Sequence, residues 1–106
     1  MSGTPCPKIS NYRNKTLLNL AKETPHCMSC NVPNHGQVVG AHSNRQKDGK
    51  GMGLKAHDLV AYLCENCHDR YDGRTTPGMS HEEWLEALYA SVIWLLSEGY
   101  LKNATR

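Results

Sequence analysis

Apolar positions along the chain repeat with two different periods, and the changes between them mark out the elements. Residues 1–10 carry no periodic pattern and read as a flexible tail. In "SNYRNKTLLNLAKE", Leu17, Leu18 and Ala21 then recur at helical spacing. Ser10 or Asn11 is placed to cap this helix and Pro25 to end it. "QVVGAH" and "DLVAYLC" are short runs rich in β-formers and predict two strands, the first closing at His42. Between them, residues 43–56 form a polar loop with Gly49, Gly51 and Gly53. "ENCHDRYD" predicts a helix that "GRTTPGM" breaks.

A longer helix follows, at about 80–98. Ser80 and Glu83 form a capping box, and Gly99 sits where a helix end favours positive φ. Its predicted apolar face is Trp84, Leu85, Leu88, Tyr89, Val92, Leu95 and Leu96. Trp84 and Trp94 read as core and partner-facing residues, and His26, His35 and His81 as surface residues.

Length and composition narrow this pattern to one small domain. The chain has 106 residues, 39% hydrophobic residues and no Phe. So modest a core gains from a structural metal. The net charge of +2 excludes a strongly basic or acidic chain and leaves any nucleic-acid contact to a local patch. No apolar run approaches the roughly 20 residues of a membrane span, and "MSGTPCPKIS" lacks the apolar stretch of a secretory signal. A cytoplasmic protein without a membrane partner is expected.

Cysteine placement adds specific chemistry. Four of the five cysteines form two Cys-x-x-Cys pairs, Cys27/Cys30 and Cys64/Cys67, and Cys6 stands apart in the tail. A tight turn aims both sulfurs of such a pair the same way, so two pairs supply a closed tetrahedral site of four thiolates. A closed site has no position for water and is structural, with Zn²⁺ the expected ion. Reduced buried thiols or two separate redox pairs are the competing readings. The spacer from residue 31 to residue 63 exceeds the roughly 15 to 20 residues of a bare zinc ribbon. The zinc therefore staples the base of a long excursion that carries His42, the glycine loop, Lys50, Lys55, His57 and Asp58.

A Cys-x-x-Cys, a strand ending in a histidine, a loop and "LCENCH" together resemble the HNH endonuclease superfamily, the zinc-stapled branch of the ββα-metal (His-Me finger) nucleases. More narrowly, "NYRNKTLLNLA", "AHSN", "GKGMGLKAHDL" and "LCENCH" resemble the YbcO-like family of phage and prophage nucleases. The resemblance runs from about Asn11 to the end of the last helix. It implies an α+β fold in which a ββα-metal core, about 26–73, lies within a single domain, 11–106. An N-terminal helix and a long C-terminal helix flank that core.

The resemblance implies further that His42 is the general base, that His68 ligates a catalytic Mg²⁺ or Mn²⁺, and that Asp58 orients the base. One departure stands out: Ala41 occupies the place where the superfamily has an acidic residue or His. Asp58, His57 or Asp72 would then supply the missing ligand, or the metal would use more water. Lys50 and Lys55, set among glycines that let backbone N–H groups approach a phosphate, read as phosphate contacts, and Arg45 and Lys47 extend the patch. The implied activity is metal-dependent hydrolysis of DNA phosphodiester bonds, linked to phage recombination or replication in the cytoplasm of a bacterial host. A non-catalytic zinc module that binds DNA or a recombination protein is the alternative. A protein that binds a host enzyme through its last helix is a third reading.

Overall fold

The computed structural model describes residues 14–44 and 59–101. Within them the elements run α1 (Lys15–Asn19), a 3₁₀ turn (Leu20–Glu23), β1 (Val38–Ala41), β2 (Ala61–Cys64), α2 (Glu65–Tyr71) and α3 (His81–Ser97). This is a small α+β fold. The tail at 1–10 and the loop core at 45–58 lie outside the described residues.

The first helix starts later than the expected caps at Ser10 or Asn11. Asn14 is extended (φ −160°, ψ 90°), and its side-chain Oδ1 accepts from the N–H of Thr16 at 3.1 Å. That satisfies a donor the first turn would otherwise leave orphaned. The tight 3₁₀ turn ends at Thr24, just before Pro25. Asn34, from the next segment, seals this end: its Nδ2 donates to the carbonyls of Thr24 at 2.8 Å and Ala21 at 3.1 Å.

β1 and β2 pair antiparallel, with Val38 opposite Cys64 and Ala41 opposite Ala61. Alternating side chains send Ala61 and Leu63 to one face and Val60 and Tyr62 to the other. Both faces are covered, so every residue of β2 is buried. One core cluster gathers Ala41, Leu63, Cys27, Cys67, Tyr71 and Trp84. The second gathers Leu17, Ala21, Val38, Val60, Tyr62 and Leu95. α3 supplies residues to both, which ties the two faces together.

Tyr62 turns both backbone groups away from β1. Its N–H donates to Ser91 Oγ of α3 at 3.0 Å, and its carbonyl accepts from the N–H of Met28 at 2.9 Å. Its side-chain hydroxyl donates to the carbonyl of Leu17 at 2.6 Å, and burial pushes its pKa up to about 12. One residue thereby joins sheet, cysteine turn, α1 and α3.

The box predicted for α3 is present. Ser80 Oγ accepts from the Glu83 N–H, and Glu83 Oε1 accepts from the Ser80 N–H, both at 3.1 Å. At the other end Gly99 has φ +82°. The Gly99 and Tyr100 N–H groups reach back to the Leu96 and Leu95 carbonyls, a Schellman closure. The predicted apolar face needs correction. The buried stripe is Trp84, Ala87, Ser91 and Leu95, whereas Leu85 and Tyr89 are exposed, Tyr89 by 72%. Small residues let α3 lie close to β2, and the larger apolar side chains flank that contact. Trp94 turns inward and meets the Tyr62 ring edge-on at 5.7 Å.

Gly40 has a packing reason to lack a side chain. A Cβ there would sit 2.9 Å from Val60 Cγ2 and 3.3 Å from Leu18 Cδ2. Gly40→Ala is therefore expected to cost about 1–3 kcal/mol through overpacking. Each kcal/mol lowers the melting temperature of a domain this size by roughly 4–8 °C. A melt of the zinc-loaded variant that matched wild type would show that the Val60 and Leu18 side chains yield without cost.

Candidate metal centre

The first cysteine pair lies in the turn after the 3₁₀ segment, and the second lies where β2 becomes α2. Cys64 is both the last strand residue and the N-cap of α2; its Sγ accepts from the Cys67 N–H at 3.5 Å. In the first turn, Cys27 Sγ accepts from the N–H groups of Ser29 at 3.4 Å and Cys30 at 3.5 Å. Asn31 closes this turn with φ +65°, a left-handed position that Asn tolerates well. Each turn therefore aims backbone dipoles at sulfur, which favours thiolate.

All four sulfurs lie within 4.8 Å of one another, and Cys30 Sγ is 3.8 Å from Cys64 Sγ. Zinc–sulfur bonds of roughly 2.3 Å in a tetrahedron separate the sulfurs by about 3.8 Å, so the cluster has the size a zinc ion requires. A disulfide, at about 2.05 Å, does not describe that pair. All four thiols are free, with Cys27, Cys64 and Cys67 buried and Cys30 exposed. Among the described residues this is the only group of three or more side chains able to hold a metal ion.

The electrostatics point the same way. Burial raises the Cys27 thiol, yet the backbone N–H groups of Cys30, Cys64 and Ser29 outweigh it and bring the pKa from 9.0 to about 7. Burial pushes Cys64 and Cys67 up, and the charge on Cys27 adds to both. One thiolate forms readily and opposes the next ones. Four thiolates coexist only with a cation among them, and a divalent ion with soft-ligand affinity meets that need.

The other predicted site residues fall into two groups. His42 is half-buried and directly follows β1. His68 and Asp72 lie one turn apart at the end of α2, with His68 Nε2 3.2 Å from Asp72 Oδ2. That spacing is near the roughly 3.0 Å between adjacent ligand atoms on an octahedral ion with 2.1 Å bonds. The same Asp72 oxygen also lies 3.5 Å from Arg74 Nη2. His57, Asp58, Arg45, Lys47, Lys50 and Lys55 lie outside the described residues. Ala41 is fully buried, packed in the cluster that contains Tyr71 and Trp84.

An aromatic cluster beside His42 escaped the sequence reading. Tyr71 stacks on Trp84 with ring centres 5.5 Å apart and an interplanar angle of 11°. His81 stacks on Trp84 at 5.2 Å. His81 is thus half-buried in a ring cluster rather than a surface residue, with Nδ1 2.8 Å from the Tyr71 hydroxyl. His26 is also half-buried, its Nδ1 2.8 Å from the Cys27 carbonyl. Trp84 Nε1 donates to the Ala41 carbonyl at 3.1 Å. Asn44 donates twice to Tyr71: its backbone N–H to the hydroxyl at 2.9 Å and its Nδ2 to the carbonyl at 2.8 Å. The only sequence signal for this cluster is that Tyr, His and Trp flank a helix start.

Compared with known proteins, the chain matches no family model, and no curated protein or solved structure is significantly similar to it. No helix among the described residues is long and apolar enough to cross a membrane.

Proposed function

We propose that the protein is a metal-dependent endonuclease of the HNH type, hydrolysing DNA phosphodiester bonds in phage or prophage recombination or replication. One observation carries this reading. Asn44 is bonded twice to Tyr71, so the segment that leaves β1 with His42 is tied to the end of α2, where Asp72 follows Tyr71. An antiparallel pair that passes through a cysteine hinge into a helix supports a ββα core, and the four-thiolate cluster supports its zinc staple.

In this reading His42 is the base, because a neutral imidazole can take a proton from water near pH 7. A divalent ion held by His68 and Asp72 would supply positive charge for the leaving oxygen. Mg²⁺ prefers oxygen ligands, so a site containing His68 is expected to accept Mn²⁺ at least as well. Asp58 orients the base, and His57 is the other candidate to complete the ligand set. Arg45, Lys47, Lys50 and Lys55 hold the phosphate backbone.

The test is incubation of the zinc-loaded protein with supercoiled plasmid without added divalent ion, with Mg²⁺ or with Mn²⁺. Nicked or linear product only with a divalent ion is the expected result; intact plasmid under every metal defeats the proposal. In a gel shift without added divalent ion, changing Lys50 and Lys55 to Ala should weaken DNA binding. Each lost phosphate contact should flatten the slope of log K against log salt by about 0.7 to 0.9. Unchanged affinity and slope would move the binding face elsewhere.

The alternative, a zinc module that binds DNA or a recombination protein without cutting, draws support from the enclosed Ala41, which contributes no ligand. A salt-dependent gel shift without cleavage is its signature.

A further inference from the structure

The segment that carries His42 is held from both sides by residues the proposed reaction does not use. On one side Trp84 Nε1 donates to the Ala41 carbonyl, directly before His42. On the other, Asn44 donates to the Tyr71 hydroxyl and carbonyl. Ser43, between His42 and Asn44, is buried. A side chain at a strand end is aimed by its own backbone, and here that backbone is fixed one residue before and two residues after His42.

Tyr71 is the hub of this clamp. Its ring lies against Trp84, and its hydroxyl meets both Asn44 and His81. A backbone N–H can only donate, so the hydroxyl accepts from Asn44. The 2.8 Å contact with His81 Nδ1 is its second hydrogen bond, whose direction follows the imidazole tautomer. The His81 ring lies on Trp84 at an interplanar angle of 21°, which holds that ring nitrogen in place.

We propose that Tyr71 is a positioning residue of the site: its hydroxyl, oriented by His81, fixes the 42–44 segment and thereby sets the aim of His42. This rests on the nuclease reading for its catalytic consequence and on the described hydrogen bonds for its structural one. Tyr71 need not touch the phosphate. Its effect passes through the backbone of Asn44, and a displacement on the order of 1 Å at a reacting group is worth about 100-fold in rate.

The deciding variants separate the hydroxyl from the ring. Tyr71→Phe keeps the stack on Trp84 and removes only the oxygen. Asn44 is exposed, so water can replace its lost partner, and zinc content and melting temperature should stay close to wild type. Plasmid cleavage should fall about 10- to 100-fold in kcat with KM within twofold. His81→Asn and His81→Leu both lose the aromatic stack, but only Asn keeps a hydrogen-bonding group near the place of Nδ1. Asn should therefore retain much more activity than Leu.

Wild-type kcat in Tyr71→Phe, or equal loss in the two His81 variants, overturns the proposal. Amide exchange at Asn44 reads the clamp without any cleavage. It should accelerate in Tyr71→Phe at unchanged melting temperature, and unchanged protection overturns the proposal. Wild-type protein that cuts no plasmid under any divalent ion would defeat the nuclease reading alone. The clamp would then be decided by the exchange at Asn44.

Discussion

Cys64→Ser is expected to remove zinc from the protein and unfold most of the domain. Cys64 ends β2, caps α2 and packs in the same core cluster as Leu63 and Trp84, so its loss acts on three levels at once. Structural zinc contributes on the order of 10–16 kcal/mol of apparent binding energy in small zinc domains. A domain's entire net stability is about 5–15 kcal/mol. The metal term is therefore as large as the margin it supports. Binding must also displace protons from thiols that burial pushes up, Cys64 and Cys67, so zinc affinity should fall as pH falls. Metal analysis of protein purified without chelators should give one zinc per wild-type chain and none in Cys64→Ser, whose amide spectrum should collapse to the unfolded range. A zinc-free variant with a dispersed spectrum would show that the apolar clusters suffice.

The second large effect is on chemistry without loss of structure. His42→Ala should lower plasmid cleavage by about 10²- to 10⁴-fold, the usual contribution of a general base. His42 is half-buried and lies outside both apolar core clusters, so zinc content and the thermal transition should be retained. The backbone on either side is held by Trp84 and Tyr71 through groups that the substitution leaves in place. Cleavage at the wild-type rate in a folded, zinc-loaded His42→Ala protein would remove His42 from the reaction.

The cysteine frame was legible in the sequence because its signal is local: each pair of ligands is three residues apart, and few other chemistries use two such pairs. The ends of α3 were legible for the same reason, since Ser80, Glu83 and Gly99 act within a turn of their own positions. The orientation of α3 was not. Leu85 and Tyr89 carry more apolar surface than Ala87 and Ser91, yet the fold buries the latter. The backbone of β2 needs a close neighbour and the Tyr62 N–H needs the Ser91 hydroxyl. His81 was misread for a related reason: its partner Tyr71 comes from another helix, and nothing near His81 in the chain announces it. The start of α1 shifted because three Asn residues, at 11, 14 and 19, offer similar local chemistry. Only the observed bond from Thr16 to Asn14 chooses among them.

The pairing of β1 with β2 raises a question of alignment. In a tight hairpin the turn type sets which residues face each other. Here the connection runs from residue 42 to residue 60, far too long to dictate a register. A slip by one residue would exchange the faces of the moved strand, taking Ala61 and Leu63 away from the cysteine-side cluster. The alignment is instead fixed at the opposite end. Val38 faces Cys64, the Met28 N–H grips the Tyr62 carbonyl, and both anchors belong to the two cysteine turns. An ion held by those cysteines would fix the first cysteine turn against β2, and so limit how far the chain that leads into β1 and on to His42 can shift.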